Sequence, residues 1–169
     1  MSRYVTLEDY TTLYGSMDET EFNRLVVGAS AKADKLTTGI DGLRKLREFF
    51  PTDSDDAEVV KASICGVIHL MHQISALEEA NASGQGYVTR EDGTQVGKTV
   101  TSISSGSESI SYSAKSSGQT MASTLVGDIK GQNEAYKVIL EEGFRGIADA
   151  NGVNLMYMGA YPLLEVGNV

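Results

Sequence analysis

Three residues with metal-binding side chains recur at helical spacing in the middle of the chain. Cys65, His69 and His72 stand at positions i, i+4 and i+7, so a helix would place them on one side. Thiolate and imidazole are ligands that zinc prefers, and three of them would leave one position open. The sequence identifies neither a fourth ligand nor a carboxylate to orient the imidazoles. The favoured interpretation is a polar helix arc with a small cysteine beside it, so we predict no metal and no cofactor.

The sequence was also searched for nucleotide-binding and catalytic motifs. Gly97-Lys98-Thr99 is similar to the end of a phosphate-binding loop, but three residues separate Gly93 from Gly97 where that motif requires four. The sequence contains no Gly-x-Ser-x-Gly nucleophile elbow. Clustered acids are typical of solvated helix ends and faces, and they occur at Asp53-Asp55-Asp56, Glu78-Glu79 and Glu141-Glu142. We therefore predict no catalytic residues and a protein that is not an enzyme.

Composition restricts the class of protein further. The 169 residues suffice for one domain with a hydrophobic core. A formal net charge of -9 disfavours a protein that grips nucleic acid by its phosphates, although DNA could slide past such a surface. The single cysteine cannot form an internal disulfide, so nothing argues for an oxidising compartment. We expect no membrane span and no signal peptide.

The stretch Asp53–Ala82 is predicted to be the central helix. Its apolar residues cover about half of the helix circumference, which is wider than a one-sided surface helix needs. Pro51 stops the preceding element, and good N-cap residues follow at Thr52, Asp53 and Ser54. The small residues on or beside the other half predict points where neighbouring helices approach closely; they are Ala62, Cys65, Gly66 and Ala76.

Two shorter helices are predicted before the central one. The first begins after Thr6 as N-cap and ends at Gly15. The second begins at Asp18, which forms an Asp-x-x-Glu variant of the capping box with Glu21, and it ends at Thr37-Thr38-Gly39.

A third helical piece is predicted over Ile40–Phe50. Its apolar residues should face inward, namely Leu43, Leu46, Phe49 and Phe50. Its charged residues should face outward, namely Arg44, Lys45, Arg47 and Glu48.

The chain after residue 82 changes character. Residues 83–119 are rich in Gly, Ser and Thr, and Asp92-Gly93 is a hairpin signal, so we predict an extended arm. Helical periodicity returns over 120–152 and is best over Asn133–Glu142. Residues 153–169 have no helical period but much apolar and aromatic surface, which favours a tail that folds back on the core or docks into a partner.

The predicted fold class is therefore mainly α. We expect a small helical bundle around one long central helix, with an extended β-hairpin-like arm and an extended C-terminal tail. The bundle consists of residues 1–82 and is completed by 120–152, the arm is 83–119, and the tail is 153–169.

Five stretches carry a resemblance to a known family, and their order along the chain is its strongest feature. They are Tyr4–Gly15, Phe22–Thr37 with its Ala29-Ser30 step, the long helix with central Cys65, Val100–Ser113 with its Ser-Glu-Ser and Ser-Tyr-Ser elements, and Asn151–Ala160. In this order they resemble the head–tail adaptor, or head-completion connector, proteins of long-tailed bacteriophages and prophages. The last stretch is similar to that family's closing Gly…Leu-(Leu/Met)-Tyr-x-Gly phrase.

The resemblance implies a structural virion protein without a catalytic site. Such adaptors assemble in the bacterial host cytoplasm and form a ring, typically of twelve copies, beneath the portal at the phage neck. They bind the portal on one side and a stopper or tail-completion protein on the other, and genomic DNA passes through the lumen without specific binding. Acidic residues facing the lumen would keep DNA from adhering.

Two sets of contact residues are predicted. The tail is expected to bind the portal as an added strand through Leu155, Met156, Tyr157, Met158, Tyr161 and Leu163, with the tyrosines and Met158 as anchors. The arm is expected to contact a neighbouring subunit or the stopper through Tyr87, Val88, Val100, Ile103, Ile110 and Tyr112.

Two alternatives remain open at this point. One is another neck component, a stopper or tail terminator, although such proteins tend to be β-rich. The other is a small cytosolic helical binding module, possibly metal-regulated through the Cys65, His69 and His72 face.

Overall fold

The described residues comprise most of the helical part of the chain. This computed structural model describes residues 4–83, 87–89, 95–97, 100–102, 111–112 and 120–162, with side chains over 4–79 and 120–162. Helices predominate among them, which confirms the predicted mainly α class.

The first two helices begin and end at the predicted residues. Helix α1 (Leu7–Tyr14) has Thr6 as its N-cap in a reciprocal capping box with Asp9, and Gly15 follows its last residue. Helix α2 (Glu19–Leu36) is capped by Asp18, whose side chain accepts a hydrogen bond from the Glu21 backbone N–H at 3.1 Å. Each cap satisfies N–H groups that the first helical turn leaves unpaired, which is why these positions could be read from the sequence.

The third predicted helix is much shorter than expected. Only α3 (Lys45–Glu48) is helical, and Ile40–Leu43 form a turn in which the Gly42 N–H bonds the Gly39 carbonyl. Lys45, predicted to face outward, is buried. Asp41-Gly42 is a turn-forming pair that competes with helix, and this preference prevails here over the apolar periodicity.

Helix α4 (Ser54–Ser83) is the predicted central helix. Asp53 caps it, because its Oδ1 accepts hydrogen bonds from the Asp55 and Asp56 N–H groups at 3.0 and 3.1 Å. The fully buried residues of its apolar face are Val60, Ile64, Cys65, Val67 and Ile68. A helix so extensively buried forms the core against which other elements pack.

The same helix meets a simple membrane-span criterion. Its Ser54–Glu79 part is long and apolar enough to cross a membrane, with a mean hydropathy of 1.2. Its side chains at Val60, Ile64 and Ile68 are nevertheless buried within the chain itself. The core helix of a soluble protein passes the same test, so this is weak evidence for a span, and the absence of one stays an expectation.

Four short strands lie between α4 and the next helix. β1 (Tyr87–Thr89) pairs antiparallel with β2 (Gln95–Gly97), with Val88 opposite Val96, and β3 (Val100–Ser102) pairs with β4 (Ser111–Tyr112). The rest of 84–119 lies outside the described residues. The predicted extended arm as a whole is not supported by these short pairs and stays a prediction.

The predicted helical region 120–152 contains two helices. Helix α5 (Met121–Leu125) is capped by Thr120, and α6 (Ile129–Phe144) follows after a turn at Gly127. The Asp128 side chain caps α6 by accepting a bond from the Gly131 N–H at 2.9 Å. On α6, the predicted apolar face is buried at Tyr136, Leu140 and Phe144.

Helix α6 lies against α4 through residues without bulk. A Cβ atom added to Gly143 would lie 2.6 Å from Ser63 Cβ, closer than atoms can pack, and one added to Gly66 would lie 3.3 Å from an Ile139 methyl. The prediction that small residues of α4 mark close approaches is confirmed at Gly66.

The chain divides into two compact units. The first contains residues 1–69 and 133–169, and the second contains 70–132. The first unit includes α1, α2, α3, the N-terminal half of α4 and most of α6, and its core is formed by residues such as Val26, Leu46, Ile64 and Leu140. The second unit includes the C-terminal half of α4, where Leu70 and Ile74 are buried, and α5, where Ala122 is buried.

Candidate functional site

The tail residues 153–162 lie against the turn before α3 in the first unit. The Ile40 N–H donates a hydrogen bond to the Met158 carbonyl at 3.0 Å. A Cβ atom at Gly39 would lie 2.7 Å from the Gly159 carbonyl oxygen, so the two segments touch backbone to backbone there. The turn and the tail therefore form one surface, which we call the turn–tail surface: residues 39–43 with 156–162.

Asp41 links the two segments from the turn side. Its Oδ1 accepts a bond from the Leu43 N–H at 3.0 Å, and its Oδ2 accepts one from the Tyr161 N–H at 2.7 Å. These two N–H donors lower the pKa of the Asp41 carboxyl although it is exposed to solvent. The carboxylate thus ties residue 161 to the turn at neutral pH.

Lys45 holds the tail from beneath. Its ammonium group donates a hydrogen bond to the Tyr157 backbone carbonyl and lies 5.7 Å from the centre of the Tyr157 ring. Burial lowers the pKa of Lys45, and the nearby carboxylates of Asp149 and Asp41 oppose that shift. A buried ammonium requires such partners, because desolvating it without compensation is costly.

Tyr161 is fixed by stacking and by hydrogen bonds. Its ring stacks on Phe49 with a centroid distance of 5.0 Å, and its hydroxyl donates to Asp149 Oδ2 at 2.7 Å. The Asn151 amide donates to the same hydroxyl at 3.0 Å. Burial raises the pKa of Tyr161, and the bond to Asp149 adds to the rise.

Asp149 also organises the turn that precedes the tail. Its Oδ1 accepts hydrogen bonds from the Asn151 and Val153 N–H groups, both at 2.9 Å. The Leu155 N–H then bonds the Ile147 carbonyl at 2.9 Å, and the Leu155 side chain is fully buried. Because Leu155 secures the chain to the core, residues 156–162 start from a fixed point.

These contacts leave three apolar side chains in solvent. Ile40 is 84% exposed, Met158 56% and Tyr157 45%. They stand on adjoining backbone, since Ile40 bonds the Met158 carbonyl and Lys45 bonds the Tyr157 carbonyl. Apolar side chains held rigidly in water on neighbouring segments are typical of a protein-binding surface.

A groove of about 770 Å³ lies beside this surface in the same unit. Its walls contain two aromatic rings, two polar side chains and small or aliphatic residues: Asp41, Gly42, Leu43, Phe49, Asn151, Tyr161 and Pro162. Its volume falls within the range of about 300–1,000 Å³ found for ligand pockets.

No family model, curated protein or solved structure matches this chain. Its function is therefore argued from its own residues.

The predicted portal-binding residues take different positions in the structure. Tyr157 and Met158 are exposed, Met156 and Tyr161 are half-buried, and Leu155 is a core residue of its own chain. Leu163 lies outside the described residues. The side chain of Leu155 is thus not available to a partner in this conformation, because the protein's own core already covers it.

The predicted arm residues are only partly described. Their backbone lies in β1, β3 and β4 for Tyr87, Val88, Val100 and Tyr112, whereas Ile103 and Ile110 lie outside the described residues.

The sequence analysis missed the turn side of the site. Ile40, Asp41 and Lys45 were assigned to a helix, so their association with the tail was not foreseen. The Asp41-Gly42 pair carried the signal, because that dipeptide favours a turn over a helix interior.

The cysteine and histidine face has packing partners. The His69 Nδ1 lies 3.0 Å from the Tyr10 hydroxyl, and its ring stacks on Tyr14 with a centroid distance of 4.3 Å. Burial raises the pKa of the Cys65 thiol to about 12, so it is protonated at neutral pH. Within 4–79 and 120–162, no group of three or more His, Cys, Asp or Glu side chains is arranged to hold a metal ion.

Proposed function

We propose that this protein is a head–tail adaptor of a long-tailed phage or prophage. It forms a ring between the portal and the stopper or tail-completion proteins at the neck of the virion, and DNA passes through the ring. It binds the portal through the exposed side chains of the turn–tail surface, and it carries out no catalysis.

One observation carries the proposal. The stretch Asn151–Ala160, which resembles the closing phrase of the adaptor family, contains Tyr157 and Met158, and these side chains are held in solvent beside Ile40. Two independent devices, the Lys45 ammonium and the Asp41 carboxylate, fix the backbone that presents them. A preorganised apolar surface binds a partner with less loss of conformational entropy than a flexible one.

Ring formation requires a second apolar area on a different face, since head-to-tail contacts join unlike surfaces. Leu13 and Tyr14 at the end of α1 supply exposed apolar side chains away from the tail segment in sequence, at 52% and 41% exposure. The mainly helical fold also favours an adaptor over the β-rich stopper and tail-terminator proteins.

The acidic balance suits a channel through which DNA moves. With a net charge of -9, the protein repels phosphates, and repulsion would prevent DNA from adhering to a lumen. Glu78, Glu79 and Glu142 are exposed and Glu141 is half-buried, so these acids are candidates for the lumen wall.

Electron microscopy of particles assembled without this protein tests the role. We expect full-sized heads that lack tails and fail to retain DNA, with tails restored when the protein is supplied from a plasmid. Normal tailed particles would remove the adaptor proposal.

Binding to purified portal tests the surface. The double variant Tyr157→Ala/Met158→Ala should weaken portal affinity at least tenfold, or by about 1.4 kcal/mol or more, while the thermal midpoint stays close to that of the wild type. Tyr161→Ala is unsuitable, because it removes a stacking and hydrogen-bonded side chain. Val138→Ala on α6, where Val138 is 45% exposed, serves as the matched control. An unchanged affinity in the double variant would exclude this surface as the portal contact.

A further inference from the structure

The groove beside the turn–tail surface has a shape and chemistry that call for an extended apolar segment. Phe49 and Tyr161 form an aromatic wall, and Leu43 and Pro162 add aliphatic surface. The two polar walls, Asp41 and Asn151, already make hydrogen bonds to the tail, to the Tyr161 N–H and the Tyr161 hydroxyl. The groove therefore offers mainly apolar contacts to an occupant.

The chain itself contains a segment of matching chemistry next to the groove. Residues 163–169 follow directly from Pro162, which forms part of the groove wall, and their sequence is Leu-Leu-Glu-Val-Gly-Asn-Val. Four of the seven residues are aliphatic, and the segment spans at most about 23–25 Å when extended. That length suffices to cross from one subunit into a groove on another.

The position of Pro162 argues against the segment filling its own groove. Tyr161 and Pro162 are walls of the groove, so the chain would have to reverse direction at once to enter it. Proline disfavours helix at the preceding residue, and Leu163-Leu164 lacks the Gly, Asn, Asp or Ser that tight turns use. The sequence pattern therefore favours continuation away from the groove.

We propose that residues 163–169 of one copy occupy the groove of a second copy, with Leu163 or Leu164 against the Phe49–Tyr161 wall. This contact is heterologous, because it joins the tail of one subunit to the groove of the next, and such contacts generate rings or filaments. It deepens the proposed ring and rests on it only in the need for self-association, and it gives Leu163 a subunit contact in place of the portal contact expected from the sequence.

Disulfide trapping between two different copies tests the proposal. Both copies carry Cys65→Ala; one carries Asn151→Cys and ends at Pro162, and the other carries Val166→Cys with an intact tail. The mixture, at high protein concentration under mild oxidation, should give a covalent heterodimer. A matched copy with Lys130→Cys in place of Asn151→Cys should give at least fivefold less, since Lys130 is exposed and is not part of the groove.

The remaining outcomes decide against the proposal. A chain carrying Asn151→Cys and Val166→Cys together, oxidised at high dilution, would form an internal disulfide if the tail filled its own groove; that product without the heterodimer overturns the proposal. Equal heterodimer yields from the Asn151→Cys and Lys130→Cys copies overturn it as well.

A synthetic peptide gives a measurement that does not depend on stable rings. The chain ending at Pro162 should bind the 163–169 peptide saturably by calorimetry, and Leu43→Asp should weaken binding at least tenfold, whereas Ile129→Asp, outside the groove, should not. Absence of binding to the folded truncated chain refutes the proposal. This failure would leave the microscopy of particles as the separate test of the adaptor role.

Discussion

The buried ammonium group of Lys45 donates a hydrogen bond to the backbone carbonyl of Tyr157, 112 residues further along the chain. This bond joins α3 to the tail and fixes the backbone at the place where Tyr157 and Met158 enter solvent. A charged group in the interior thus sets the geometry of an apolar surface outside it.

Replacing Lys45 with methionine should loosen this joint while keeping most of the aliphatic volume. The Tyr157 carbonyl would lose its charged donor, at a cost of about 1–3 kcal/mol in the free energy of unfolding. Chemical denaturation measures that loss, and amide exchange at Ile40 and Tyr161 should become faster, because their N–H groups bond across the same joint. Lys35→Met, at an exposed position of α2, is the control and should change stability by less than about 0.5 kcal/mol. Equal effects of the two substitutions would contradict the joint.

Gly143 is the point of closest approach between α6 and Ser63 of α4. Gly143→Ala should destabilise the protein by about 1–3 kcal/mol, because the new methyl group overlaps the Ser63 side chain. In an open helix the same change would stabilise by roughly 1 kcal/mol, so the sign of the effect is diagnostic. Thermal or chemical unfolding measures it.

A reciprocal variant serves as the control for that result. Ser63→Gly combined with Gly143→Ala moves the side chain from one helix to the other and should recover part of the lost stability. Gly131→Ala, where the nearest atoms belong to the flexible Asp128 side chain, should have little effect. A stabilising Gly143→Ala would show that the two helices do not approach as described.

Asp149 should be the most sensitive acid of the tail region. Asp149→Ala removes the acceptor of two backbone N–H groups and of the Tyr161 hydroxyl, so we expect a loss of about 2–4 kcal/mol, from roughly 1 kcal/mol or more for each bond. Tyr161→Phe removes one of these bonds but keeps the stacking on Phe49, and it should cost about 1 kcal/mol. Unfolding by denaturant measures both, with Glu58→Ala on the exposed part of α4 as control. A larger effect of Tyr161→Phe than of Asp149→Ala would contradict this assignment.

Local signals in the sequence were sufficient for most helix boundaries but not for the turn–tail surface. Thr6, Asp18 and Asp53 bond N–H groups within their own first helical turn, so residue type and spacing carry the information. The burial of Lys45 depends on a carbonyl 112 residues away, and no local pattern encodes that contact. Apolar periodicity over Ile40–Phe50 therefore gave a helix, whereas tertiary contacts with the tail and the Asp41-Gly42 pair produced a turn.

The pH dependence of stability should report the burial of Cys65. Burial raises the pKa of its thiol from 9.0 to about 12 in the folded protein. Between these values the unfolded chain has released the thiol proton and the folded chain retains it, so the unfolded state binds fewer protons and stability falls as pH rises. The decline approaches about 1.4 kcal/mol per pH unit for this one group, and below pH 9 the thiol contributes no slope. Buried tyrosines titrate in the same range, so the measurement is the difference between the wild type and Cys65→Ala, each unfolded in urea from pH 8 to pH 11. The wild type should lose stability more steeply above pH 9, and parallel profiles would show that the thiol is accessible to water in the folded state.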